Sequence, residues 1–169
     1  MYSVIIPTMW KCERLHQTLK ELNNHPLVGE ILLFDNTTNN QKIEHLNKVT
    51  HILEGKNTYV TAPWNKGAKF AAYDKLLVMN DDNWFDLNLL EVLHEHITPT
   101  IGMIGMAEEN HTENWSKWPN MVGLEPTTHR NGGYGCVFFI HKENWIEIPE
   151  EMKIWGQDDW LFCKNRDNG

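Results

Sequence analysis

Two pairs of neighbouring acids stand out by their setting. Asn80-Asp81-Asp82-Asn83 closes the apolar run Leu76–Met79, and Asp158-Asp159 lies between Trp155-Gly156 and Trp160-Leu161-Phe162. Adjacent carboxylates repel unless a cation or a proton neutralises them. A hard divalent metal holding a phosphate-bearing ligand suits the first pair. The plainer reading is a solvated turn in which one residue caps a helix. An unpaired ionised group among apolar side chains costs several kcal/mol, so one acid of the second pair is expected to have a task.

The elements that must position these acids can be read from apolar spacing. Leu76–Met79, four apolar residues without polar alternation, reads as a strand covered on both faces. Tyr2–Thr8 and Glu30–Asp35 repeat that pattern, and Lys11–Asn23 between them carries Leu15, Leu19 and Leu22 at helical spacing. Together they predict a βαβ unit with a right-handed crossover. Val49–Leu53 reads as a third, weaker strand. Thr58–Pro63 reads as extended, Asn65-Lys66-Gly67 as a turn and Ala68–Tyr73 as a short helix. Beyond the acids, Asp86–Ile97 reads as a helix, Ile101–Met106 and Cys136–Ile140 as strands, and Lys142–Trp145 as a turn or short helix.

Strands alternating with helices predict an α/β fold, a mixed, mostly parallel sheet flanked by helices. Three polar strand ends, Thr8, Asp35/Asn36 and Asp81/Asp82, then share the carboxyl edge, where open α/β sheets bind ligands. Residues 107–131 lose periodicity yet hold Trp115, Trp118, His111 and His129, and read as a mobile functional loop.

Length and composition set the frame. At 169 residues and 19.8 kDa the chain is expected to form one domain over 1–169. No run approaches the roughly 18 consecutive apolar residues that a membrane span requires. Tyr2–Ile6 is already strand-like and Pro7 follows, leaving no room for a leader, so a cytoplasmic protein is expected. Cys12, Cys136 and Cys163 are odd in number and scattered, and read as free thiols. The glycosylation sequons at Asn36, Asn110 and Asn114 matter only in a secreted protein. A net charge of −8 argues against general affinity for nucleic acid or anionic membrane.

Taken together, the stretches resemble the nucleotide-sugar glycosyltransferases of the GT-A (Rossmann-like) fold, most closely the family 2 group. Ser3–Thr8 resembles that family's opening strand, Glu30–Asn36 its second strand and Asn65-Lys66-Gly67 its Asn-x-Gly turn. Leu77–Asp82 is similar to its DxD strand, Gly133–Ile140 to the strand beside the acceptor and Trp155–Asp159 to its later Gly-(Glu)-Asp-Asp motif. Departures exist as well. Gln157 stands where Glu is usual, and Ala72-Tyr73 stands in place of the customary Arg-Asn, for which Lys69 or Lys66 would substitute.

The resemblance implies a metal-dependent transfer of a sugar from a nucleotide-diphosphate sugar, UDP-linked foremost, to a glycan or other hydroxyl acceptor, with inversion. Asp82, with Asp81 or Asn83, would supply oxygens to Mn²⁺ or Mg²⁺, and His141 is a candidate third ligand. Thr8, Asp35 and Asn36 would bond a pyrimidine base, with Asn65, Lys69 and Asp81 completing the donor site. Asp158, or alternatively Asp159, would take the acceptor's proton. Trp115, Trp118 and Trp155 are candidates for an apolar platform. A catalytically silent nucleotide- or glycan-binding module of the same fold is the alternative.

Overall fold

A computed structural model describes residues 1–39, 41, 43–106, 123–129 and 134–166. In chain order its elements are β1 (Tyr2–Thr8), α1 (Leu15–Asn24), β2 (Val28–Asp35), β3 (Val49–Leu53), α2 (Thr61–Phe70) and β4 (Lys75–Met79). There follow α3 (Asn88–Leu93), β5 (Ile104–Gly105), β6 (Val137–His141) and α4 (Gln157–Asn165). The six strands form one sheet in the order β3-β2-β1-β4-β6-β5. β1 runs parallel to β2 and β4, and β2 parallel to β3; β6 is antiparallel to both β4 and β5. The expected mixed, mostly parallel α/β sheet is therefore present.

Central position explains the apolar runs. Every residue of β1 is buried, because helices cover both faces of the sheet. Val4 and Ile6 point toward Leu15, Leu19 and Leu22 of α1 and Leu90 of α3, whereas Ile5 points toward Trp64 and Ala68 of α2 and Leu161 of α4. At Gly67 a Cβ would lie 2.6 Å from Ile5 Cγ2, so the absent side chain sets how closely α2 approaches β1.

Several expected boundaries change. Thr61–Phe70 is one continuous helix, running through the stretch 65–67 that reads locally as a turn. Trp64 and Ala68, four residues apart, bury against the sheet and make the helix the better solution. The helix expected over 86–97 is shortened to α3 and a single 3₁₀ turn, His94–His96, and β5 is only two residues long. Of the loop expected over 107–131, residues 107–122, 130 and 131, with His111, Trp115 and Trp118, lie outside the described residues. Residues 123–129 are exposed. Among the described residues no helix is long and apolar enough to cross a membrane.

Candidate active site

Register fixes which residues can meet. Thr8 pairs with Asp35, Asp35 with Leu53 and Met79 with Val137. The carboxyl ends of β1 to β4 and the amino end of the reversed β6 thus lie along one edge.

At that edge the end of β1 is tied to the acids after β4. Thr8 Oγ1 donates to Asp81 Oδ2 (2.6 Å), and the Met9 N–H approaches the same oxygen (3.3 Å). Next to them Asp35 is fully buried. Its Oδ1 accepts from the backbone N–H (2.9 Å) and hydroxyl (2.7 Å) of Thr37. Its Oδ2 accepts from Trp10 Nε1 (2.8 Å) and lies 3.0 Å from His51 Nε2. Burial pushes the Asp35 carboxyl up, but the hydrogen bonds from Thr37, Trp10 and His51 outweigh it and leave it below the usual carboxylate value.

Asn36 has a different task. Its Nδ2 donates to the Tyr59 carbonyl (2.7 Å), and its Oδ1 accepts from the N–H (3.1 Å) and hydroxyl (2.7 Å) of Thr58. The link from β3 into α2 is thereby pinned to the end of β2. Trp10 (φ 56°) and Tyr59 (φ 63°) are the described non-glycine residues in the left-handed region. Bulky residues rarely adopt it, and such strain gathers at functional sites. Here one of them bonds Asp35 and the other Asn36.

The second acid pair reaches the same edge from α4. Gly156 (φ 88°) turns the chain into the helix, placing Asp158 and Asp159 in its first turn, where the helix dipole favours negative charge. A Cβ on Gly135 would lie 2.7 Å from Asp158 Cγ, so this glycine makes room for that carboxylate beside the turn leading into β6. Gln157, buried beneath, donates to Thr61 Oγ1 (3.1 Å) and the Met152 carbonyl (3.0 Å), joining the starts of α2 and α4. Across the turn, the Asn80 N–H donates to the Cys136 carbonyl (2.9 Å). The Cys136 thiol is held above its ordinary pKa by burial, then by the charges of Asp82 and Asp158. It therefore lies in the field of both carboxylates. Asp82 is exposed, and its Oδ1 accepts from Asn83 Nδ2 (2.9 Å).

The family model described as Glycosyl transferase family 2 matches residues 3–147. The chain belongs to glycosyl transferase family 2. The match ends before α4, so Asp158 and Asp159 lie outside it. No curated protein matches this family 2 chain. Among solved structures it is similar to residues 1–349 of S. aureus TarS, at 17% identity and a TM-score of 0.71, covering 99% of this chain and 55% of that one. It is also similar to the same fragment in complex with UDP-GlcNAc (17% identity, TM-score 0.65, 99% and 53% covered) and with UDP (16%, 0.64, 99% and 55%). This family 2 chain thus spans about half the length of those fragments. Its fold is GT-A, as the sequence implies.

Three expected site residues belong elsewhere. His141 pairs with Lys75 at the far end of β4, about 13 Å of strand away from the acidic edge, because β6 runs antiparallel. It cannot join Asp82 around an ion, and its imidazole instead accepts from the Glu143 N–H (3.3 Å). Asn65 sits mid-way along α2, its amide donating to the Ile148 carbonyl (2.8 Å) and accepting from Ile148 N–H (3.0 Å) and Trp145 Nε1 (3.3 Å). Lys69 lies on the last turn of α2, which returns the chain to the amino end of β4, and its carbonyl is 3.5 Å from Lys142 Nζ. Lys66, the other residue expected to stand in for the missing arginine, is paired with Glu54 (2.6 Å).

Among the described residues no group of three or more His, Cys, Asp and Glu is arranged to hold a metal ion. Asp81, Asp82 and Asn83 still present oxygen donors side by side at the edge. Residues missed by sequence reasoning are Trp10, His51, Tyr59, Thr61 and Cys136. His51 carried a signal: it pairs with Leu33, two residues before Asp35, so it shares that acid's face of the sheet.

Proposed function

We propose that this chain transfers a sugar from a UDP-sugar to a hydroxyl acceptor, glycan or otherwise, with inversion, in the cytoplasm. The observation that carries the reading is the convergence at one sheet edge of Asp82 and Asp158, both close enough for their charges to act on Cys136, beside the Thr8–Asp81 and Asp35 network. TarS complexes with UDP and UDP-GlcNAc support a uridine diphosphate donor.

In this reading Thr8, Asp35 and Asn36 form the nucleoside end of the donor site. The diphosphate lies toward Asp81 and Asp82. A cation shared with a diphosphate needs only one or two protein carboxylates, the other ligands being phosphate oxygens and water, so the donor set fits Mn²⁺ or Mg²⁺ without a third protein acid. When bound, such an ion supplies neutralisation of the charge that builds on the leaving diphosphate. Asp81 is already fixed by Thr8, and the exposed Asp82 has the freer approach. Asp158 takes the proton of the acceptor hydroxyl as that oxygen attacks the sugar carbon. Asp159, about 100° further round the helix, is the alternative. The exposed Trp155, just before Gly156, offers a ring face to the acceptor.

The test is release of UDP from UDP-sugars with Mn²⁺, with and without hydroxyl acceptors, in wild type, Asp82→Asn and Asp158→Asn. Turnover lost in both variants is expected. Donor binding without turnover in all three proteins would instead favour a silent binding module.

A further inference from the structure

Resting on the reading of Asp158 as base, we propose that Gln157 and Thr61 are positioning residues for transfer. Their hydrogen bonds hold the first turn of α4 where Asp158 can meet the acceptor hydroxyl. Gln157 is 2% exposed, and its amide nitrogen donates one proton to Thr61 Oγ1 (3.1 Å) and the other to the Met152 carbonyl (3.0 Å). The Thr61 hydroxyl donates to that same carbonyl. Three parts of the chain meet at this point: the start of α2, the start of α4 and the segment leading to Gly156. Beside it the Val60 N–H donates to the Lys153 carbonyl (3.1 Å), a second tie between α2 and that segment.

The first turn of a helix has no earlier turn to bond to, and Gly156 brings no capping side chain. Asp158 follows Gln157 directly, so a shift of one moves the other. Its room is narrow: the carboxylate carbon lies where a Cβ on Gly135 would come within 2.7 Å. A general base works only within hydrogen-bond reach of the proton it takes, and a misplacement of about 1 Å can cost about a hundredfold in rate. The bonding pattern also demands an amide. An ionised glutamate of the same shape would have no proton for either acceptor and would turn its charge on the Met152 carbonyl. It would also be a third carboxylate in a row with Asp158 and Asp159. The glutamine that stands in place of the usual Glu thus has a task of its own.

The experiment measures UDP release from UDP-GlcNAc, UDP-glucose and UDP-galactose with Mn²⁺, and UDP affinity by calorimetry, in wild type, Gln157→Glu, Thr61→Val and Thr61→Ser. Thr61→Val keeps the shape and removes the hydroxyl, so it carries the test even if Gln157→Glu does not fold. Turnover should fall about tenfold to a hundredfold in both, with UDP affinity close to wild type, and Thr61→Ser should recover most of what Thr61→Val loses. Each substitution is then repeated in Asp158→Asn. Because the bonds act through Asp158, neither should lower the activity that remains there. An unaltered rate in Thr61→Val, UDP affinity lost in step with rate, or an equal further loss in the Asp158→Asn background would overturn the positioning role while leaving Asp158 as base. A wild-type rate in Asp158→Asn itself would remove the base reading, and this role with it.

Discussion

Asp158 and Asp82 serve different ends of the proposed reaction, so removing one charge at each should give separable defects. Asp158→Asn keeps the shape and loses the base; transfer should fall on the order of 10²–10⁴-fold with UDP affinity nearly unchanged. Asp82→Asn should weaken Mn²⁺-dependent UDP binding as well. Wild-type transfer in Asp158→Asn together with loss in Asp159→Asn would exchange the two roles. Asp35 makes a prediction about pH. An acid with a depressed folded pKa adds stability above its ordinary value and loses it as pH falls through the depressed one. Asp35→Asn should therefore cost on the order of 1–3 kcal/mol at pH 7, with the gap to wild type narrowing only below about pH 4. Urea unfolding at pH 7 and pH 3 checks it, and an equal gap at both would contradict it. At this scale Thr8, Asp35, Asn36, Asp81 and Asp82 were legible because each ends an apolar run, and parallel strands bring such ends together. His141 ends an apolar run too. It was misplaced because a short strand carries no sign of its direction.

Local signals and packing disagree most clearly at α2. Asn65-Lys66-Gly67 is a turn signature, yet the helix runs through it, since Trp64 and Ala68 bury on the sheet and Gly67 admits Ile5. Pro63 falls in the first turn, where its missing N–H has no helical partner to lose. Which face of a helix needs a glycine depends on the neighbouring strand, and that neighbour is not written in the local sequence. Gly135 is the counterpart at the site. Gly135→Ala would place a methyl 2.7 Å from Asp158 Cγ and displace the carboxylate. The expected outcome is reduced transfer with UDP affinity and melting temperature close to wild type. Unaltered transfer would show that the position of Asp158 is not critical.

For the molecule as a whole, the proposed function has an acidic chain of net charge −8 bind an anionic diphosphate. Binding should then require a cation. UDP at a hundredfold excess over its dissociation constant should stabilise the fold by about 2.7 kcal/mol in Mn²⁺, read as a thermal shift. The same shift in EDTA would contradict cation-bridged binding. The α/β class and the carboxyl-edge location were legible from the order of elements alone. The tie between α2 and α4 was not, because Gln157 and Thr61 lie 96 residues apart and nothing local marks either as a partner.

That separation also bears on how the protein comes into being. The Thr8–Asp81 bond spans 73 residues, and the start of α4 docks on α2 only once Gln157, 96 residues beyond Thr61, is present. Contacts so distant in sequence form late, because the entropy of closing long loops must be met before they yield any gain. The acidic edge therefore forms no earlier than the pairing of β1 with β4, and is completed only when α4 docks. After dilution from urea, the far-ultraviolet helical signal should recover ahead of UDP binding. A chain stalled before α4 would hold much of the donor half while lacking the carboxylate proposed to start transfer.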